Sequence, residues 1–254
     1  MSARLAILVL FAASGALAQE SPIATDRPGF LFSSLTVGRG VGQIELGLPA
    51  VTLFDGTDTR TTSLIGLLRV GVGDTFELRL GSPFYNEVRF EAGGRSFSDS
   101  GYGDLEVGAK WHLLDNEGAQ PSFALIPSVI LPVGEAGFSA EDPIYQLNTA
   151  SEWTLADGWG VGFLAGFLRG ESAEDSYLQQ TYGGLLGRTA GSWSPYVEVA
   201  HVRTDLDGAS ESSFLGGGLK YLVSNDVQID VNFDRGLTDE SPDWLLGLGL
   251  SARF

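Results

Sequence analysis

The chain contains no cysteine, so neither a disulfide framework nor thiolate chemistry is available to it. It has only two histidines. Basic residues are scarce: 15 Lys and Arg stand against 32 Asp and Glu, a formal charge of −17. That balance argues against nucleic acid as a partner, because phosphates need a basic footprint. After residue 18 there is no apolar run of 18 or more residues. A transmembrane helix is thereby excluded from that part of the chain. A membrane crossing, if there is one, must be made by a closed barrel.

The N-terminus reads as a targeting segment. Arg4 gives a positive start, Leu5 to Phe11 an apolar stretch, and Ala16-Leu17-Ala18 a small-residue cleavage site. Residues 1–18 are therefore expected to be a cleaved signal peptide, with Gln19 as the mature start. Removing Arg4 takes the charge to −18. Export fits the absence of cysteine without requiring it.

What is abundant is glycine, 35 of 254 residues, close to twice the usual share of about 7%. Glycine weakens strands, so this density needs a reason. Bends in a closed barrel, or close backbone approach in its lumen, supply one.

The rest of the chain alternates apolar and polar residues with the two-residue period of strands. Val227-Gln228-Ile229-Asp230-Val231-Asn232-Phe233-Asp234 alternates at every position, and Leu105 to Leu113 does the same. Twelve strands are predicted, over 41–53, 59–71, 75–90, 101–113, 121–131, 143–155, 158–169, 177–189, 193–203, 213–223, 227–235 and 243–254. The proline at 83 leaves that count uncertain by two. An even count suits a bacterial barrel with both termini in the periplasm.

The connections sort by length. Tight ones fall at 72–74, 115–118, 156–158, 190–192 and 224–226, with Gly, Asn and Asp as turn residues. Longer, acidic ones fall at 91–100, 132–142, 170–176, 204–212 and 236–242; the first, near Asp55 to Asp58, is short. Membrane barrels have short periplasmic turns and longer outer loops. Outward aromatics collect at both ends: Phe76, Trp111, Phe123, Trp153, Tyr221 and Phe254 near the tight turns, Tyr145, Phe167, Phe233 and Trp244 near the long loops. Such belts mark membrane–water interfaces. Trp244, Leu246, Leu248, Leu250, Ala252 and Phe254 alternate to the last residue, and Phe254 reads as a signal for the barrel-assembly machinery. The prediction is an all-β protein: a single antiparallel transmembrane β-barrel of about 12 strands in the bacterial outer membrane, over residues 41–254.

Parity turns Glu45, Glu77, Glu106, Glu152, Glu198, Asp230 and Asp234 inward, with Arg69, Arg79, Lys110, Lys220, Arg253 and His112. These are the candidate lumen-lining residues; they either pin the barrel by ion pairs or select a solute. Twelve strands tilted by about 40° give a backbone diameter of about 24 Å. Inward glycines (Gly47, Gly81, Gly108, Gly216, Gly218, Gly247 and Gly249) favour free space within it. The lead segment, residues 19–40, is either a loose periplasmic lead-in or a lumen plug. In the second case Asp26, Arg27 and Phe30 are its anchoring residues.

Thr25-Asp26-Arg27-Pro28-Gly29-Phe30, followed by Gln43-Ile44-Glu45-Leu46-Gly47, resembles the opening of an outer-membrane transporter family labelled after the meta-pathway of phenol degradation. The family shows a T-D-R-P-x-F box and then a Q-x-E-x-G first strand. Val37-Gly38-Arg39-Gly40 stands here where the family has V-P-x-G. The resemblance implies an outer-membrane barrel with a transport role, for hydrophobic or aromatic compounds among others.

No enzyme is expected. Barrel hydrolases need Ser and His together on the lipid-facing surface. Val199-Ala200-His201-Val202-Arg203 offers no adjacent serine, and His112 and His201 lie near opposite ends. No cofactor or metal site is expected. The acidic loops, with Asp99, Glu135, Glu141, Asp142, Glu171, Glu174, Asp175, Asp205, Asp207, Glu211, Asp239 and Glu240, are either solvated or bridged by hard cations to lipopolysaccharide. The expected partners are membrane lipids, lipopolysaccharide, the assembly machinery and an unknown small solute. Two functions follow: a transporter or narrow channel for small molecules, or a closed-lumen structural or binding barrel.

Overall fold

The computed structural model describes residues 21–54, 58–171, 175–205 and 211–254. The signal-peptide residues, Glu174 and Asp207 lie outside the described residues. The strands are β1 (Gly42–Phe54), β2 (Thr59–Gly71), β3 (Phe76–Ala92), β4 (Arg95–Gly101), β5 (Leu105–Leu114), β6 (Ser122–Leu131) and β7 (Ile144–Thr154). They continue as β8 (Trp159–Glu171), β9 (Ser176–Arg188), β10 (Trp193–Asp205), β11 (Glu211–Ser224), β12 (Val227–Gly236) and β13 (Trp244–Arg253).

Sequence neighbours pair antiparallel, except that β5 pairs with β3 instead of β4, and β1 pairs with β13, so the sheet closes on itself. Thirteen strands make a twelve-strand wall, because β4 and β5 together form one side of β3. The lower part of β3 pairs with β5, from Phe76↔Trp111 to Gly81↔Glu106. The upper part pairs with β4, from Asn86↔Gly101 to Ala92↔Arg95. Between them, Gly103 N–H donates to Pro83 C=O at 2.8 Å.

The segment 91–100 is thus not a loop. It is the tip of a hairpin that turns through Gly93 and Gly94, both at positive φ (58° and 72°), as a two-residue hairpin turn requires. Its polar residues hide the strand because both of its faces are exposed. Prolines 49 and 83 sit where the register slips, between Gly47 and Ala50 and opposite Leu64/Ile65. A bulge is where a strand tolerates a missing donor.

The polarity of the barrel is inverted relative to a soluble protein. Leu78, Val107, Trp111, Phe163, Val197, Val231, Phe233 and Leu248 are exposed on the outside. The largest fully buried side chains include Arg69, Lys110, Glu45, Glu77 and Asp234. Apart from β4, which pairs only with β3, each strand pairs on both sides, and an apolar exterior faces hydrocarbon, the two conditions for crossing a membrane with strands. Among the described residues no helix is long and apolar enough to cross one.

Candidate functional site

Residues 21–40 run inside the barrel. The segment starts at the tight-turn end, where Ile23 N–H donates to Asn225 C=O at 2.7 Å. It rises to Pro28-Gly29-Phe30, where the Phe30 ring lies 5.1 Å from that of Phe214. It then descends until Gly40 N–H meets Gly71 C=O at 2.8 Å.

On the β1–β5 side the segment is held by charge. Asp26 reaches Arg79, Lys110 at 2.6 Å and Arg69 at 3.7 Å. Arg69 also pairs with Glu45 at 2.9 Å and Glu77 at 2.7 Å, and Arg79 pairs with Glu77 at 2.9 Å. Three acids thus meet three bases, all of them buried. The segment's backbone completes the valences. Asp26 N–H donates to Glu45 at 3.0 Å and Val37 N–H to Glu77 at 2.8 Å. Lys110 Nζ donates to Ser33 C=O at 2.7 Å. Burial alone would raise the Asp26 carboxyl, but Arg69, Lys110 and Arg79 outweigh it and hold the group far below the usual carboxylate range.

On the β10–β13 side the inward residues are Glu198, Lys220, Asp230, Asn232 and Asp234. Arg27 donates to Asp230 at 3.4 Å and to Leu248 C=O at 3.1 Å. Glu198 accepts the Phe30 N–H at 2.9 Å. Elsewhere Glu152 accepts from Ser33 Oγ at 3.3 Å and from Ser34. Arg253 binds Asp226 at 2.7 Å and Ser21 C=O at 2.8 Å. His112 Nδ1 meets Ser34 C=O at 3.0 Å. Glu106 lines the wall beside Gly81. Phe254 pairs with Gly42 through the backbone at the tight-turn end.

The inward glycines do not mark empty space. A Cβ on Gly47 would lie 2.7 Å from Arg27 Nη1, and one on Gly249 would meet both Asp230 and Arg27. Gly162 and Gly183 leave room for the Leu31 side chain. The missing side chains are replaced by those of the segment and of neighbouring strands. The space that does remain is a cavity of about 600 Å³ between the segment and the β6–β11 wall, near the tight turns. Leu31, Phe32, Leu185 and Leu222 line it, with Glu152 and Lys220. A second cavity, about 230 Å³, touches Arg27, Phe30, Val51, Asn232, Asp234 and Leu245.

One contact was beyond the reach of sequence adjacency. His201 Nδ1 lies 2.9 Å from Ser213 Oγ, on the next strand. A serine does stand beside the outward histidine, contrary to the expectation. Its own amide N–H is taken by Ser241 Oγ at 3.0 Å, so that amide is not free to hold an oxyanion. Glu211 lies 4.0 Å from His201 Nε2 and is paired with Arg203 at 3.2 Å. Among the described residues no group of three or more His, Cys, Asp or Glu is arranged to hold a metal ion.

The family model described as "Putative MetA-pathway of phenol degradation" matches residues 25–254. It is the family that the opening motif resembles. A comparison with curated protein sequences finds no match. Among solved structures, the fold is similar to an outer membrane channel from Pseudomonas putida F1 (16% identity, TM-score 0.64, covering 90% of this chain and 99% of that one). It is also similar to the beta domain of the Bordetella autotransporter BrkA (14%, 0.56, 85% and 99%). The NanC porin is a third (10%, 0.51, 84% and 98%). The chain has the fold of an outer-membrane β-barrel, and its apolar exterior is fitted to that membrane.

Proposed function

We propose, from the premise that this chain belongs to the phenol-degradation family matched over residues 25–254, that it is an outer-membrane transporter for small, partly apolar solutes. The observation that carries the reading is the cavity of about 600 Å³ between the internal segment and the β6–β11 wall. Its size and mixed lining suit a small molecule: mostly apolar contact, with a few placed polar groups. In this reading the segment 21–40 is the plug, clamped by charge to β1–β5, tied at Arg27 and Phe30 to β10–β13, and leaving space along β6–β11. The solved structures similar in fold include a channel and a porin by name, which fits without setting a substrate.

Liposome swelling tests this, with the wild-type chain and with residues 21–40 deleted. We expect slow uptake of small solutes by the wild type and faster uptake after deletion. No uptake by either would sink the transport reading. It would leave the closed-lumen binding barrel, which the fully paired charges around Asp26 favour.

A further inference from the structure

Glu198 on β10 and Asp234 on β12 face each other across Gly216 of β11, which pairs with both. A Cβ at Gly216 would collide with Asp234 Oδ1; its absence lets the two carboxylates meet. Two residues along, the Tyr196 hydroxyl lies over Gly218 for the same reason. One oxygen of each acid is satisfied: Glu198 Oε2 by Phe30 N–H at 2.9 Å, Asp234 Oδ2 by the Asn232 amide at 3.0 Å. Glu198 Oε1, Asp234 Oδ1 and the Tyr196 hydroxyl are buried, and no other group among the described residues donates to them; the hydrogen bond open to the two acids is the one they make to each other when they share a proton. Glu198 is 2% exposed and Asp234 1%.

The charges do not balance either. Three acids, Glu198, Asp230 and Asp234, face two bases, Arg27 and Lys220. A buried carboxylate without a counter-charge is strongly disfavoured. Water could donate to the orphaned oxygens, but it carries no charge. One positive charge is missing; a proton shared by the two acids or a cation that displaces it supplies that charge, and the cavity of about 230 Å³ that touches Asp234 gives a cation a place to arrive.

We propose that this pair of carboxylates receives the ammonium group of a small organic amine, whose apolar body lies in that cavity beside Phe30. The inference rests on the transport reading and names its solute class. A primary ammonium brings one charge and three donors. Three donors equal in number the two carboxylate oxygens and the Tyr196 hydroxyl, and of these three residues Asp234 is the one on the wall of that cavity. The lack of a metal-holding arrangement among the described residues favours an organic cation over a metal ion.

The test is binding of benzylammonium to the purified full-length barrel in detergent by calorimetry, with benzyl alcohol as the uncharged probe of similar shape. Benzylammonium should bind, and benzyl alcohol should bind at least about tenfold more weakly. Glu198→Gln and Asp234→Asn should each weaken benzylammonium by about tenfold, with folding verified by the heat-dependent gel shift of closed barrels. Equal binding of the two probes, or unchanged affinity in both variants, overturns the proposal. So does an absence of amine binding; if wild type then holds one proton that Glu198→Gln lacks in potentiometric titration, that proton is the missing charge. Uptake of a neutral sugar by liposomes of the same preparation separates the failures. Uptake without amine binding defeats this proposal alone, and no uptake defeats the transport reading beneath it.

Discussion

The lumen holds two clusters of buried charge, built from the same residue types and balanced differently. Around Asp26, three acids meet three bases and each base has an acid within 2.9 Å. Around Glu198, three acids face two bases, and the ion pair there between Arg27 and Asp230 is 3.4 Å long. The first cluster is complete and holds the segment against β1–β5. The second is incomplete and borders a cavity. A buried ionic network stabilises only when every charge is answered, so the first reads as a clamp and the second as a receptor.

The largest effect should come from breaking the clamp. Arg69→Met leaves Glu45, Glu77 and Asp26 with too few cations, and loss of one partner from a buried network costs about 3–5 kcal/mol. The unfolding midpoint should fall and protease should gain access to residues 21–40. A variant as stable and protected as wild type would show that the clamp does not hold the segment. Next comes Gly216→Ala, whose Cβ would overlap the Phe233 carbonyl and the Asp234 carboxylate. Overpacking of this kind costs about 1–3 kcal/mol, and it should also abolish amine binding.

Glu198→Gln should act in the opposite sense to Arg69→Met. It removes an unanswered charge, so stability in the absence of ligand should rise by about 1 kcal/mol. A loss as large as that of Arg69→Met would contradict the charge count. The smallest effect concerns acid. Asp26 in the folded state titrates below the ordinary aspartate value of 3.8, so its contribution is complete above that pH and fades only as pH falls further. Between about pH 7 and about pH 5, the protease protection of residues 21–40 should not change. Release in that window would show that another group controls the segment.

Much of the barrel was legible because a two-residue period survives in a strand with one face in lipid. Val227 to Asp234 kept both its register and its inward acids. The hairpin tip at 91–100 was not legible, because Phe97 and its polar neighbours face solvent on both sides and no alternation is imposed there. The inward glycines were read with the wrong sign. Gly216 and Gly249 adjoin Asp234, Asp230 and Arg27, contacts set by cross-strand register and by a segment about 220 residues away in sequence. The meeting of His201 and Ser213 is hidden for the same reason: nothing in either strand alone reports its neighbour's register.

The internal segment also bears on how the chain assembles. Residues 21–30 lie ahead of every strand, yet they bind Gln228, Asp230 and Leu248 in the last two strands and Asn225 in the turn before them. The same segment also binds Glu45, Glu77 and Lys110 on β1, β3 and β5, and these two sets of partners are brought to one lumen only when β13 has met β1. Contacts of such long sequence separation are slow to form. The segment therefore seats late, after the wall has closed. Its protection from protease is accordingly a clock for barrel closure, readable in a folding experiment without any label on the strands.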